Sequence, residues 1–470
     1  MPLSHHTGYG VATRRPGPGF RALRAAARYD IAMSAGERFV GQPNLPPSEE
    51  NPPLRFWIAL LATGVAAGAA AIVMTKILRY VQHLSYNYRI GEFSDAVART
   101  GDVRRLVVLA AGGLVTGTGW FLLRRQAGGT GGEPTRSVWS GEGNISLRRN
   151  AMSGVLSEVA VGAGASLGRE AAPQRAAAAF GSWIGRHMKL PTNQRVLLVA
   201  CGAGAGVGAV YNVPLAGALF AAELYLGSLA LTSVIPALAA SGTATAVAWI
   251  FLPRQPVYSF PNLPQPTLSL IVFAIVIGPV LGLASALWVR AVGWASDHRP
   301  TGRLLIIEPA IAFSVLGLIA FRYPLLIGNG RDLAEFAFIQ HGSLATLAIL
   351  LALKPFVTTL CLRSGASGGL FTPTFSLGAV LGSVFGHMWA MFWPVPSTVS
   401  FGIIGAAAMI AAAMQSPVAA IAFTLELTNS VDLSVVAIIV AIVGSVIVSR
   451  GIETRSIYSA RIPNLVAEAK

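Results

Sequence analysis

The stretch Gly168–Pro173, Gly-Arg-Glu-Ala-Ala-Pro, decides the fold because a related stretch, Gly-Gly-Leu-Phe-Thr-Pro, occurs at Gly368–Pro373. Each stretch is followed by an apolar segment that contains Gly-Ser-x-x-Gly. A proline with a glutamate nine residues further on comes next, at Pro214–Glu223 and at Pro417–Glu426. The order predicts a duplicated unit, and interrupted apolar segments at matching positions indicate a substrate site between the two halves of a transporter.

The composition indicates a membrane protein. Of the 470 residues, 53% are hydrophobic and 12% are charged, whereas soluble domains carry roughly 25% charged residues. Several uncharged apolar segments have about the length that crosses a bilayer: Phe56–Met74, Leu106–Leu123, Leu231–Pro253, Leu268–Val289 and Leu433–Ser449. Because lipid satisfies no backbone hydrogen bonds, the spans must be helical. The sequence therefore predicts an all-α polytopic membrane protein.

The net charge of +15 comes from arginine and lysine residues outside the long apolar runs. Positive flanks remain in the cytoplasm, so both termini are predicted to be cytoplasmic. Charge in this position does not indicate a nucleic-acid partner. We predict a basic tail at 1–53, membrane repeats at 54–230 and 231–462, and a short tail at 463–470.

Four prolines mark predicted helix starts within the apolar segments: Pro173, Pro214, Pro373 and Pro417. Proline is tolerated in the first turn of a helix because its missing N–H would be unpaired there. A helix that begins within the membrane directs free N–H groups and partial positive charge at whatever precedes it. Such a site attracts an anion without a buried lysine or arginine.

Two matches to the pattern Gly-x-Ser-x-Gly, at Gly164–Gly168 and Gly365–Gly369, do not predict a hydrolase. That motif requires a preceding strand and partner histidine and aspartate residues. We expect no enzymatic activity, no cofactor and no metal, and we expect Cys201 and Cys361 to be core residues. The glycines of the Gly-Ser-x-x-Gly segments are better explained by close helix packing.

Four segments in order give a specific resemblance: Gly168–Glu170, Asn212–Glu223, Gly369–Pro373 and Ile457–Ser459. Together they resemble signature segments of the CLC chloride channel and transporter family, and the resemblance covers nearly all of 54–462. It implies two inverted halves with many tilted and partial helices. It also implies a homodimer with a pore in each subunit, dehydrated chloride where helix N-termini converge, and a bacterial inner (plasma) membrane location.

The resemblance assigns the gate to Glu170, with Gly168 and Arg169 beside it at the outer anion site. An independent argument agrees, because a carboxylate ahead of a partial helix mimics a halide at the helix N-terminus. The alternative is a structural ion pair between Glu170 and Arg169. Intramembrane ionisable residues more often mark function, which favours the gate.

The central anion site is assigned by resemblance to Gly369, Leu370 and Phe371, whose backbone N–H groups face the ion, and to the hydroxyl of Tyr458. The alternative for Tyr458 is a residue of the aromatic belt at the membrane boundary. The chloride-ligating serine of the family's first motif aligns with Thr130, within Gly129–Glu133. A competing match, Ser140–Gly143, lies too close to Glu170 for the family's spacing, and the carboxylate of Glu133 would repel an anion unless it faces water or Arg136.

Two departures bear on mechanism. Ala171 and Ala172 follow Glu170, where the family has Gly-Pro. Leu224 follows Glu223, where proton-coupled members carry a second glutamate that accepts the internal proton. We therefore predict a gated chloride pore with weak or absent classical proton coupling, and structural roles for Glu223 and Glu426. A chloride/proton antiporter with another proton route stays open, as does an unrelated inverted-repeat anion carrier or membrane enzyme.

Overall fold

The structure is a computed structural model of the chain, and it describes residues 52–126, 133–260, 267–339, 342–393, 398–429 and 435–462. These residues contain seventeen α-helices and no β-strand. Eight of the helices are long and apolar enough to cross a membrane. The predicted all-α polytopic membrane class is confirmed.

The first eight helices run from the N-terminal side of the chain to the first Pro-to-Glu segment. They are α1 (Leu54–Tyr86), α2 (Phe93–Arg99), α3 (Asp102–Gln126), α4 (Pro134–Trp139), α5 (Leu147–Gly162), α6 (Ala171–His187), α7 (Thr192–Tyr211) and α8 (Pro214–Phe220). A π-helical turn, Ala221–Tyr225, continues α8 and carries the first glutamate of the paired segments.

The remaining nine helices complete the chain. They are α9 (Leu231–Ala248), α10 (Leu268–Asp297), α11 (Leu304–Ile319), α12 (Arg331–Ile339), α13 (Leu344–Arg363), α14 (Phe371–Phe392), α15 (Val399–Met414), α16 (Pro417–Thr428) and α17 (Val435–Ile452). A 3₁₀ turn, Ser459–Arg461, follows the predicted pore tyrosine. Cys201 and Cys361 are fully buried and unpaired, as predicted.

The duplicated Gly-Ser-x-x-Gly segments bring pairs of helices into close contact. In the first half α6 packs on α7, and a Cβ atom on Gly181 would fall on the Leu198 carbonyl. In the second half α14 packs on α15, and a Cβ atom on Gly382 would fall on the Phe401 carbonyl. Small residues allow helix backbones to approach closely within a membrane, so the predicted packing role is confirmed.

The predicted helix starts are correct at one pair of prolines and wrong at the other. Pro214 and Pro417 are the first residues of α8 and α16. However, α6 and α14 begin two residues before Pro173 and Pro373. Both prolines still lie in the first turn, where backbone N–H groups have no intrahelical partner. The helices can therefore start earlier without losing a hydrogen bond.

Glu223 and Glu426 cap each other's helices across the two halves. The carboxylate of Glu223 accepts hydrogen bonds from the N–H groups of Val418 (3.2 Å) and Ala419 (2.7 Å) in α16. The carboxylate of Glu426 accepts from Leu215 (3.1 Å) and Ala216 (2.7 Å) in α8. These reciprocal contacts support the predicted structural role of both glutamates, because a carboxylate satisfies orphan donors at a helix start.

Candidate functional site

The two copies of the deciding stretch pair with each other through their backbones. Gly168 N–H donates to the Gly369 carbonyl, and Gly369 N–H donates to the Gly168 carbonyl, both at 2.7 Å. This antiparallel bridge lies just before the starts of α6 and α14. It therefore fixes Glu170, at the start of α6, against the N-terminus of α14.

The carboxylate of Glu170 is surrounded by hydrogen-bond donors. One oxygen accepts from the Phe371 N–H at 2.8 Å. The other accepts from the Tyr211 hydroxyl at 2.9 Å and from Thr372 Oγ1 at 3.3 Å. Only 1% of Glu170 is exposed. The carboxylate thus fills a buried pocket for an anion at the N-terminus of the 22-residue helix α14, where the helix dipole favours negative charge.

Gly168 and Gly369 form the walls of this pocket. A Cβ atom on either residue would fall on the Glu170 carboxylate. The N–H groups of both glycines are engaged in the backbone bridge. Their predicted direct contact with an anion stays a prediction, whereas the Phe371 N–H, also predicted to face the anion, here binds Glu170.

Tyr211 and Thr372 are site residues that the sequence analysis missed. Tyr211 ends α7, and its hydroxyl lies 2.5 Å from Thr372 Oγ1. The Tyr211 ring packs against Phe371 at 5.8 Å and lies under the Arg169 guanidinium at 5.0 Å. The sequence could have pointed to both residues through their positions beside the motifs. Tyr211 directly precedes the Asn212–Glu223 segment, and Thr372 lies within Gly369–Pro373.

A cavity of about 270 Å³ reaches Tyr211 from one surface of the protein. Its wall includes residues of the last turns of α1, and we name it the outer vestibule. Arg79, Arg169 and Arg331 line it together with Asp332. The arginines outnumber the acid, so the vestibule presents positive potential to an approaching anion.

A narrow gap continues from the outer vestibule towards the carboxylate. It is lined by Tyr211, Arg331, Phe371 and Thr372, among others. Three of these four residues belong to the pocket around Glu170, so the gap reaches the groups that bind its carboxylate.

Tyr458 is a second buried tyrosine near the pocket. Its ring packs edge-on against Phe220 at 5.7 Å, and 8% of the residue is exposed. Its hydroxyl makes no hydrogen bond to any described residue, and the residue lies near Glu170. Leu370 is buried directly before α14, so its backbone N–H lies at the helix N-terminus that also carries the Phe371 N–H. Both placements support the predicted central site.

Three further positions from the sequence analysis are Leu224, Thr130 and Glu133. Leu224 is 6% exposed within the π-helical turn, so the proton-relay position is apolar and buried. Thr130 lies outside the described residues. The carboxylate of Glu133, for which the sequence suggested water or Arg136 as partner, forms an ion pair with Arg175 of α6. The pairing joins residues 42 positions apart, which local sequence does not reveal.

A buried carboxylate surrounded by hydrogen-bond donors at a helix N-terminus, in a helical membrane protein, is a feature expected of the class of anion-transport proteins. Residues 112–450 match the family model described as "Voltage gated chloride channel". The chain belongs to this family, the CLC family. Anion transport is the function that membership supports.

Related proteins match over most of their length. A putative chloride channel protein ClcB-like from Ralstonia nicotianae is 29% identical over 391 residues, covering 82% of this chain and 91% of the relative. The voltage-gated ClC-type chloride channel ClcB from Salmonella typhi is 26% identical over 411 residues, covering 85% and 97%.

Two solved structures share the fold. A slow cyanobacterial Cl⁻/H⁺ antiporter superposes with a TM-score of 0.75 at 20% identity, covering 90% of this chain and 100% of that chain. A CLC-type fluoride/proton antiporter superposes with a TM-score of 0.71 at 21% identity, covering 86% and 97%. The predicted inverted-repeat CLC fold is confirmed.

Replacing Gly369 by alanine should evict the Glu170 carboxylate, because the added Cβ atom falls on it. Loss of hydrogen bonds to a charged group weakens occupancy of the pocket by about tenfold or more. We expect faster chloride efflux from reconstituted vesicles, with a weaker dependence on pH. The matched control is Gly242→Ala in α9, where the added atom meets open space. Wild-type efflux and pH dependence in a folded Gly369→Ala protein would contradict the pocket.

Proposed function

We propose that this protein moves chloride, or a similar small monovalent anion, through a gated pore in each subunit of a homodimer in the bacterial inner membrane. Glu170 is the gate. The observation that carries the proposal is the occupancy of the pocket: the Glu170 carboxylate accepts hydrogen bonds from Phe371, Tyr211 and Thr372, and from no lysine or arginine side chain among the described residues.

The gate works by competition between two anions. The Glu170 carboxylate is an anion tethered to the chain, so a chloride that arrives from the outer vestibule competes with it for the Phe371 N–H and the two hydroxyl groups. Arg169 and Arg331 raise the local anion concentration at the approach. Protonation of the carboxylate would remove its charge and release it from the helix N-terminus, so low pH should favour the open gate.

A chloride ion that has passed Glu170 then enters the inner half of the pore. The Tyr458 hydroxyl lacks a protein partner among the described residues and is free to donate to chloride. The N–H of Leu370 lies at the same helix start and provides a backbone donor. A buried site made of hydroxyl and backbone donors suits a dehydrated monovalent anion.

The residue at the proton-relay position disfavours classical proton coupling. The residue after Glu223 is Leu224, an apolar side chain that cannot accept a proton. Glu223 itself is occupied at the start of α16 by two backbone donors. We therefore favour passive, gated anion movement over strict exchange.

Glu158 supports a second candidate, chloride/proton exchange by a different proton route. It lies in α5, it is 1% exposed, and its Oε2 has no hydrogen-bond partner within the described residues. It interacts electrostatically with Arg169 and with Glu170. An unpaired carboxylate buried in a membrane protein is stabilised by a proton, so Glu158 is the acid best placed to exchange protons with the gate.

Replacing Glu170 by glutamine tests the gate, because the amide keeps the size of the side chain and removes its charge. We expect chloride binding, measured by calorimetry in detergent, to tighten by about tenfold or more, since a charged competitor is lost. Chloride efflux from vesicles should lose its pH dependence. The matched control is Glu142→Gln, at an exposed acid between α4 and α5. The gate is refuted if the binding, the efflux and the pH dependence of Glu170→Gln all equal those of the wild type.

Replacing Glu158 by glutamine tests the second candidate. In vesicles with an imposed chloride gradient, exchange predicts proton movement in the wild type and at least a tenfold decrease in Glu158→Gln, with chloride flux retained. The control is Glu308→Gln, at an acid paired with Arg363. Absence of proton movement in the wild type would exclude exchange. Full proton movement in Glu158→Gln would exclude this route.

A further inference from the structure

Lys354 is a charged residue buried inside one of the membrane-length helices. It lies in α13, and only 1% of the residue is exposed. Among the described residues no carboxylate forms a salt bridge with it, and Asp332, at the start of α12, is the acid whose charge acts on it. Ionisable residues are costly within a membrane and usually have a function. The contacts of Lys354 indicate what that function is.

The ammonium group of Lys354 holds the chain segment that leads to Glu170. Its Nζ donates a hydrogen bond to Ser166 Oγ at 2.8 Å. Ser166 is fully buried, and its Oγ also lies 3.1 Å from the hydroxyl of Thr358, one turn further along α13. A hydrogen bond from an ionised donor is stronger than a neutral one, and burial strengthens it further. Ser166, four residues before Glu170 in the chain, is therefore tied firmly to α13.

The position of Ser166 determines the position of the backbone bridge between the two halves. The next residue, Leu167, packs where a Cβ atom on Gly368 would fall, so the two segments already touch ahead of the bridge. The bridge in turn places the Glu170 carboxylate 2.8 Å from the Phe371 N–H. Hydrogen bonds weaken steeply as their distance and angle depart from the optimum. A shift of Ser166 would therefore weaken the binding of the carboxylate in its pocket.

Lys354 also contacts the turn that carries a residue of the outer vestibule. Its Nζ donates to the Gly328 carbonyl at 3.5 Å, and the Gly328 N–H donates to the Gly164 carbonyl at 2.9 Å. A Cβ atom on Gly330, where φ is +95°, would lie 3.2 Å from Lys354 Cε. Gly330 directly precedes Arg331, which lines the vestibule. Lys354 thus lies where the segment that leads to the gate meets the wall of the anion approach.

We propose that Lys354 is a positioning residue of the gate, which acts through Ser166 to hold the Glu170 carboxylate in line with the donors at the start of α14. The proposal rests on the proposed function, because it requires Glu170 to be the gate. Lys354 does not donate to the carboxylate, whose described side-chain and backbone donors are Tyr211, Thr372 and Phe371. Its effect on the gate is therefore carried by the chain between Ser166 and Glu170.

A positioning role differs from a long-range effect of the positive charge. The ammonium group would attract an anion in the pore through its field, whether or not it binds Ser166. The hydrogen bond between the two side chains can be removed from either end. Ser166→Ala removes the acceptor and keeps the charge, whereas Lys354→Met removes both the donor and the charge. Comparing the two single variants with the double variant therefore separates position from charge.

The pH profile of chloride efflux from vesicles that contain the full-length protein tests the proposal. In Lys354→Met and in Ser166→Ala the misplaced carboxylate is held less firmly and is protonated more readily. The pH of half-maximal efflux should therefore rise by about one pH unit in each. The double variant should match Lys354→Met, because both changes remove the same hydrogen bond. The matched control is Ser383→Ala, at a fully buried serine whose Oγ donates to the Ala337 carbonyl at 2.8 Å, and it should keep the wild-type profile.

Thermal unfolding reports whether each variant is folded, and Ser166→Ala alone decides the matter should Lys354→Met fail to fold. A wild-type profile in folded Ser166→Ala would overturn the positioning role, even beside a shifted Lys354→Met, because the charge alone would then be responsible. In a Glu170→Gln background neither change should alter efflux further, and a continued effect of Lys354→Met there would also overturn the role. A wild-type profile in Glu170→Gln itself would instead refute the proposed gate, so the two failures are distinguishable.

Discussion

The structure depends on the contact between one carboxylate and one helix start. The Glu170 carboxylate accepts the first free N–H of α14 at 2.8 Å, at the point where the helix dipole and the orphan donors favour an anion. The backbone bridge between Gly168 and Gly369 holds this geometry. Without it, the pocket around the carboxylate would lose its walls.

The rest of the fold keeps the two halves in register around that bridge. Close packing of α6 on α7 and of α14 on α15 fixes the two helices that begin at the bridge. Glu223 and Glu426 tie α8 and α16 together by capping across the halves. The close helix packing and the capping glutamate each occur once in each half, which explains why the motifs are duplicated. The chemistry is not duplicated, because only the first copy carries an acid at the bridge.

The sequence was informative for features that depend on residues close together in the chain. Apolar length predicted the membrane class, and the acid of Gly168–Pro173 lies at a helix start, as its place ahead of a partial helix predicted. Contacts between distant segments were not predictable. The Tyr211 hydroxyl reaches Glu170 across 41 positions, and Arg175 reaches Glu133 across 42. The starts of α6 and α14 were misplaced because proline is compatible with any position in a first turn, so it marks a start only to within that turn.

The central claim is that Glu170 stands in the place of an anion. The most direct test is the anomalous diffraction of Glu170→Gln crystals grown with bromide. The account predicts a bromide peak within hydrogen-bond distance of the Phe371 N–H and the Tyr211 hydroxyl, where the wild-type carboxylate lies. A pocket without bromide in a variant whose bound bromide lies only elsewhere would contradict it.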